Sequence, residues 1–140
     1  DVLERCFASR LLPRRAGGQS EAHVLRGAAV ASPATPLHAA PGLHLYGSDG
    51  AQVNECPGQN NTLGAGVTEA MVRYAARSEH ARTVEDVLAR RSRILFLDAA
   101  EAARMAPAVA GILQQELGSD PALGAFLDLC TRYLPASAAK

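Results

Sequence analysis

Apolar residues recur every three or four positions through most of the second half of this 140-residue chain. Such spacing is typical of amphipathic helices, and no stretch of any length alternates apolar and polar residues as a half-buried strand does. Five of the eight prolines and nine of the twelve glycines lie before Val67, so the regular pattern begins there. The sequence therefore predicts an all-α protein, a small irregular bundle of about five to seven helices.

The uneven distribution of proline and glycine also predicts two parts. Residues 1–40 are expected to form a poorly defined N-terminal helical or linker segment, and residues 41–140 the helical domain. Before Val67 the expected elements are short helices separated by turns: Val2–Leu12, Glu21–Val30, Leu43–Tyr46 and Gln52–Cys56, the last two on either side of Gly47.

The first regular helix is predicted to begin at Val67. Its buried face would carry Ala70, Met71, Tyr74 and Ala75. Glu69, Arg73 and Arg77 fall on the opposite face of this helix.

Two further helices have recognisable starts. Thr83 is expected to cap the second helix, with Asp86 at N3 as an imperfect capping-box partner. The inner stripe of this helix is apolar except for Arg91 and consists of Val84, Val87, Leu88, Arg91, Ile94 and Leu95. Asp98 is expected to cap a third helix, Ala99–Leu117, which ends at Gly118. Because Pro107 lacks an amide hydrogen, we expect this helix to be two arms or one bent rod.

The last helix is predicted to start with Ser119 or Asp120 as its cap and Pro121 in its first position. Its buried face would contain Leu123, Phe126, Leu127, Cys130 and Leu134, and Pro135 would end it.

Composition excludes several classes of function. Fourteen basic and fourteen acidic residues leave no net charge, so a dedicated nucleic-acid binder is not expected. No apolar run approaches the ~20 residues that span a bilayer. Three widely spaced cysteines without a C-x-x-C pair predict neither a disulfide framework nor a zinc site, and they favour a reducing compartment. Since Asp1 follows no initiator methionine or signal peptide, we expect the chain to be part of a longer protein.

Arginines are concentrated around the second helix, at Arg82, Arg90, Arg91 and Arg93. Guanidinium groups in such a run can clamp a phosphate or a carboxylate. Acidic residues are interleaved with them, namely Glu79, Glu85 and Asp86, so pairing within the domain is the favoured interpretation and an anion clamp the alternative.

The segment from Val72 to Asp98, VRYAARSEHARTVEDVLARRSRILFLD, closely resembles the C-terminal helical domain of FAD-dependent glycerol-3-phosphate dehydrogenases. The similarity continues through Asp120 and extends more loosely back to Leu43, although Ser92 stands where the family usually has threonine. The residues that carry the resemblance, and that we take as a structural or docking signature, are Glu79, Thr83, Asp86, Arg90, Arg91 and Asp98.

The resemblance implies a parent enzyme that oxidises glycerol 3-phosphate to dihydroxyacetone phosphate with FAD and passes electrons to a quinone. The family's flavin and substrate sites precede the helical domain, so no catalytic, cofactor-binding or metal-binding residue is expected in this chain. Its expected partner is the FAD and substrate domain of the same polypeptide, and the family implies a cytoplasmic enzyme peripheral to the inner membrane. The resemblance leaves open whether copies associate. The alternative function is a standalone helical protein-interaction module.

Overall fold

The computed structural model describes residues 2–14, 20–28 and 39–135. Its elements in chain order are α1 (Val2–Ala8), a 3-10 turn (Ser20–Ala22), a 3-10 helix (Leu43–Asp49), α2 (Gly50–Glu55), β1 (Thr62–Gly64), β2 (Val67–Thr68), α3 (Glu69–Ser78), a π-helix (Asp86–Arg91), α4 (Ile94–Leu97), α5 (Ala99–Leu117) and α6 (Leu123–Thr131). The predicted helical class is confirmed. The short antiparallel ribbon β1–β2 was not predicted, because its strands are too short to show an alternating pattern.

The main core lies where α5 packs against α3, α4 and α6. The largest side chains that are fully buried in this core come from the π-helix, α4, α5 and α6. They are Leu88, Ile94, Leu95, Met105, Leu113 and Phe126. A smaller cluster, which includes Val53, Met71 and Tyr74, joins α2 to the other side of α3. Among the described residues, no helix has both the length and the hydropathy needed to cross a bilayer.

Helix α3 starts later than predicted. Val67 is buried in β2, and Thr68 caps the helix because its hydroxyl accepts a hydrogen bond from the amide of Met71 at 3.3 Å. The predicted inner face of Ala70, Met71, Tyr74 and Ala75 is buried throughout.

The predicted second helix is not continuous. Val84 and Glu85 are α-helical and the π-helix follows them. The helical conformation is then interrupted at Ser92 and Arg93 before α4 begins. The amide and the hydroxyl of Ser92 both donate to the carbonyl of Val87, at 3.0 and 2.9 Å, which is the five-residue spacing of a π-turn. The apolar stripe remains buried in spite of the break, whereas Arg91 lies only partly inside.

Helix α5 is one continuous helix, so the expectation of two separate arms is wrong. Pro107 lies on its exposed side, where losing one backbone hydrogen bond is tolerated. The predicted C-terminal glycine is confirmed, since Gly118 has φ +65° and its amide donates to the carbonyl of Gln114 at 2.9 Å.

Helix α6 begins at Leu123, so the predicted start at Ser119 or Asp120 is wrong. The carboxylate of Asp120 instead accepts the amide of Ala122 at 2.9 Å, which forms a local turn before the helix. The carbonyl of Pro121 accepts the amide of Val84 at 3.0 Å and so ties this turn to the second helical segment.

The N-terminal part has less helix than predicted. Helix α1 ends at Ala8. Of the second expected helix, Glu21–Val30, only the first two residues are helical among the described residues, within the 3-10 turn Ser20–Ala22, and residues 29 and 30 lie outside them. The two short helices predicted on either side of Gly47 are present with shifted bounds, since the first runs through a kink at Gly47 to Asp49 and the second is Gly50–Glu55. Gly27 and Gly47 both have positive φ, and a Cβ atom on Gly47 would lie 1.9 Å from the carbonyl oxygen of Gly27.

Candidate functional site

The signature residues surround the second helical segment. Glu79 follows α3, Thr83 and Asp86 start the next segment, Arg90 and Arg91 end the π-helix, and Asp98 precedes α5. The structure brings them together in two groups, one of Glu79 with Arg91 and one of Thr83, Asp86 and Arg90, while Asp98 acts separately.

Thr83 and Asp86 form a reciprocal capping box. The Thr83 hydroxyl accepts the amide of Asp86 at 3.2 Å, and the Asp86 carboxylate accepts the amide of Thr83 at 3.0 Å and its hydroxyl at 2.9 Å. The amide of Arg82 also donates to this carboxylate, at 3.0 Å. Burial by itself would raise the pKa of Asp86, but these hydrogen bonds outweigh it and hold the pKa below its ordinary value. The predicted cap is therefore present, and more completely bonded than expected.

Arg90 continues this group on the surface. Its guanidinium lies 2.8 Å from the Glu85 carboxylate and 3.4 Å from that of Asp86, the second pair having the predicted four-residue spacing. The side chain of Arg90 is 64% exposed, so water screens both contacts. We call Thr83, Asp86 and Arg90 the signature cluster.

Arg91 joins the end of α3 to the π-helix. Its Nε lies 3.0 Å from the carboxylate of Glu79, and its Nη2 donates to the backbone carbonyl of the same residue. The Nε atom itself is buried, and no described residue accepts a hydrogen bond from it, so the pair is held by charge attraction rather than by an aligned hydrogen bond at that atom. With 30% of its side chain exposed, Arg91 lies at the edge of the apolar stripe and not within it.

Asp98 has the predicted capping role. Its carboxylate accepts the amide of Glu101 at 2.9 Å, which satisfies one of the free amides in the first turn of α5. The side chain is exposed.

Sequence reasoning missed an ion-pair network between α3 and α5. Arg73 donates to Glu69 at 2.9 Å and to Glu116 at 2.6 Å, and Arg77 donates to the second oxygen of Glu116 at 2.7 Å. Asn61 adds a hydrogen bond of 2.8 Å to Glu69. We call Glu69, Arg73, Arg77 and Glu116 the interhelical network.

The network is well shielded from solvent at its centre, where the side chains of Arg73 and Glu116 are 14% and 11% exposed. The pKa of Glu116 is lowered chiefly by its hydrogen bond from Arg77 and further by Arg73, while the pKa of Glu69 is lowered by Asn61 and then by Arg73. Bonding to Glu116 and then Glu69 raises the pKa of Arg73. Arg73 does not face solvent, because α5 covers that side of α3 and brings Glu116 to it.

A cleft of about 350 Å³ opens beside Glu79. Tyr46 and Tyr74 meet edge to face in its wall with ring centres 5.4 Å apart, and the Tyr74 hydroxyl donates to Asp49 at 2.9 Å. Burial, followed by the charge of Glu79, raises the pKa of Tyr46. The charges of the cleft are paired, Asp49 with Arg26 at 3.1 Å and Glu79 with Arg91. The lining therefore forms a shaped cavity with neutral tyrosine hydroxyl groups, and it contains no activated nucleophile or base.

The described residues contain no group of three or more His, Cys, Asp and Glu side chains that could hold a metal ion. The lining of the cleft does not form a phosphate-binding loop, because its one glycine, Gly27, does not precede the amino terminus of a long helix. The contacts of the signature residues are made within the domain.

Comparison with known proteins gives two matches. Residues 17–123 match the family described as the C-terminal domain of alpha-glycerophosphate oxidase. The mitochondrial glycerol-3-phosphate dehydrogenase of Schizosaccharomyces pombe is 40% identical over 55 residues, which make up 39% of this chain and 8% of that protein. The match thus spans only a small part of the curated relative. No solved structure matches the chain.

Proposed function

The chain belongs to the family of C-terminal domains of alpha-glycerophosphate oxidase, and on this basis we propose that it is the non-catalytic helical accessory domain of a larger glycerol-3-phosphate dehydrogenase. The parent enzyme would oxidise the secondary alcohol of glycerol 3-phosphate to the ketone of dihydroxyacetone phosphate. The relative from Schizosaccharomyces pombe carries the name of this activity and supports the choice of a dehydrogenase.

The accessory role is supported by one observation: the signature residues form helix caps and ion pairs within the domain. Thr83 and Asp98 begin helices, Asp86 completes a capping box, and Arg91 pairs with Glu79 across two helical segments. Side chains bonded in this way maintain the shape of the domain. They are poor candidates for proton transfer or for substrate binding, which require groups that are free to change partners.

FAD belongs to the proposed parent and not to this chain. The cofactor would accept two electrons from the substrate in the part of the polypeptide that precedes the domain. The remaining partners follow from the same proposal: a quinone acceptor, and a cytoplasmic enzyme bound peripherally to the inner membrane.

The first test is to read the gene upstream of the codon for Asp1 in the same frame. The proposal expects a strand followed by a G-x-G-x-x-G turn several hundred residues earlier, the usual site of a flavin dinucleotide. A start codon immediately before Asp1 would contradict it and would favour a standalone interaction module.

The second test measures activity. The complete parent enzyme should reduce an electron-accepting dye only when glycerol 3-phosphate is present, and should carry a bound flavin spectrum. Substituting Thr83→Ala should lower its melting temperature while leaving kcat within a factor of about two, because a lost helix cap affects stability first. A loss of kcat of ~100-fold without any change in melting temperature would contradict the accessory role.

A further inference from the structure

Residues 20–28, which we call the strap, supply one part of the cleft that also contains Tyr46 and Tyr74. Leu25, Gly27 and Ala28 belong to its lining, as does Arg26. The family match begins at residue 17, so the strap lies within the matched region of the chain. The cleft is thus formed partly by helices and partly by a short segment that, after Ala22, is not helical.

Arg26 joins the strap to the helical part of the chain. Its Nε donates to the carboxylate of Asp49 at 3.1 Å, and its Nη2 donates to the side-chain oxygen of Gln52 at 3.0 Å and to the hydroxyl of Tyr74 at 3.3 Å. Asp49 ends the 3-10 helix, Gln52 lies in α2 and Tyr74 lies in α3. One planar guanidinium therefore connects the strap to three different elements.

The other contacts of the strap with the described helical part are slight. Residues 21–28 are exposed apart from the half-buried Gly27, so none of their side chains enters the core. The amide of Ser48 donates to the carbonyl of Gly27 at 3.4 Å, which is long for such a bond. The side chain of Arg26 is 64% exposed, so water screens its attraction to Asp49. A segment with few buried apolar contacts opens locally at low cost in free energy.

The tyrosine side of the cleft is held independently of the strap. Tyr74 is 4% exposed and packs in the smaller cluster with Val53 and Met71. Its hydroxyl donates to Asp49 at 2.9 Å, a bond that does not require Arg26. The ring of Tyr46 packs against the same cluster. This side therefore keeps its shape whether or not the strap lies against it.

We propose that the strap opens and closes over the cleft as one unit, and that Arg26 is the side chain that holds it closed. The structure shows the closed state. In the open state the guanidinium leaves its three acceptors and the cleft loses the part of its lining that the strap supplies. The helical core is the same in both states, because residues 21–28 contribute no buried side chain to it. High ionic strength favours the open state, since salt screens the pair of Arg26 with Asp49.

Hydrogen–deuterium exchange followed by mass spectrometry, on the complete protein that contains this chain, tests the proposal. Peptides that cover residues 20–28 and 43–49 report on the strap and on the helix that carries Ser48, and peptides from α5 report on the core. Arg26→Ala should raise the exchange rate of the first two peptides by about tenfold and leave α5 unchanged. Arg26→Lys should give an intermediate rate, because an ammonium group lacks the planar fork that reaches several acceptors at once.

Arg104→Ala is the matched control. The side chain of Arg104 is 61% exposed, and like that of Arg26 it bonds a carboxylate and a distant acceptor, here Glu101 and the carbonyl of Leu63. This variant should leave the exchange of residues 20–28 unchanged. Raising sodium chloride from about 0.05 to about 1 M should speed exchange of the strap several-fold in the unmodified protein and have little effect in Arg26→Ala.

Four other results would overturn the proposal. Unchanged exchange of residues 20–28 in Arg26→Ala would show that the arginine does not hold the strap closed. A rise that extends to α5 would show that Arg26 supports the whole fold and that the strap is not a separate unit. Equal responses to salt in the two proteins would exclude the pair with Asp49 as the contact that matters. An unmodified strap that exchanges as fast as an unfolded peptide would show that it has no closed state.

Discussion

The signature cluster and the interhelical network both consist of charged side chains, yet they stabilise different levels of structure. Thr83, Asp86 and Arg90 interact across three or four positions of one segment. In the interhelical network, Arg73 and Arg77 reach Glu116 across 43 and 39 positions. The first group determines where a helix begins, and the second determines how two helices cross.

The difference in solvent exposure implies a difference in energy. An exposed pair contributes about 0–1 kcal/mol because water screens it, while removing one partner of a buried pair costs ~3–5 kcal/mol. Arg90 belongs to the first case, and the contact of Arg73 with Glu116 is close to the second. The interhelical network should therefore contribute more to stability, although only the signature cluster was visible in the sequence.

Lowering the pH should weaken the signature cluster and the interhelical network together. It should therefore lower the free energy of unfolding more than any of the single substitutions below. The pKa values of Glu69, Glu116 and Asp86 are lowered in the folded protein from ordinary values of 4.5, 4.5 and 3.8. Stability from a lowered pKa is fully present above the ordinary value and is lost as the pH falls through the folded value. Urea melts should thus give a constant free energy of unfolding above about pH 5.5 and a steep fall below about pH 4.5.

The variant Glu116→Gln provides the control for this titration, since it removes one of the three carboxylates. Its free energy of unfolding should depend less on pH in the acid range than that of the unmodified chain. Identical pH profiles for the two proteins would show that Glu116 does not contribute to acid unfolding.

Glu116→Ala should be the most damaging single substitution of this set. It leaves Arg73 and Arg77 without their shared carboxylate, and we expect the free energy of unfolding to fall by about 3 kcal/mol, near the lower limit for a buried pair because Arg77 is half exposed. Denaturant melts measure the change. Glu101→Ala removes an exposed pair from the same helix and should leave the midpoint nearly unchanged. Equal losses in the two variants would contradict the ranking.

Arg91→Ala should have an intermediate effect. The side chain is partly buried and bonds both the carboxylate and the carbonyl of Glu79, so the loss should exceed about 1 kcal/mol. Arg90→Ala is the matched control, with an expected loss of only ~0.2–0.5 kcal/mol. If denaturant melts place Arg91→Ala within about 0.5 kcal/mol of the unmodified chain, the arginine contributes little to the fold and serves a partner instead.

Thr83→Ala tests the capping box and should cost about 1 kcal/mol, because it removes the acceptor of the Asp86 amide and a donor to its carboxylate. Thr83→Ser keeps the hydroxyl and should retain most of the stability. Thermal unfolding followed by circular dichroism is sufficient to compare them. A serine variant as unstable as the alanine variant would indicate that the methyl group of Thr83, and not the cap, is what matters.

Much of the helical part could be predicted from sequence because its signals are local. The caps at Thr83 and Asp98, the end at Gly118 and the inner face of α3 all depend on residues within one or two turns. The two short helices around Gly47 were also recognised from nearby residues.

What the sequence did not reveal depends on contacts between distant segments. Arg73 looks like a surface residue until α5 is placed across it. The π-helix depends on Ser92 bonding to Val87 in place of continuing an α-helix, a choice that the apolar spacing does not record. The start of α6 was misplaced because Pro121, a good first residue of a helix, instead presents its carbonyl to Val84.

The contact between Gly27 and Gly47 limits how this region can vary among related proteins. Any side chain on Gly47 would collide with the backbone of Gly27, and a Cβ atom on Gly27 would lie 2.8 Å from the carbonyl oxygen of Tyr46. A compensating change elsewhere cannot relieve a collision with main-chain atoms, and both positions also require positive φ. Related proteins can thus replace either glycine only by losing this contact. The two positions are therefore expected to change together, although twenty positions separate them in the sequence.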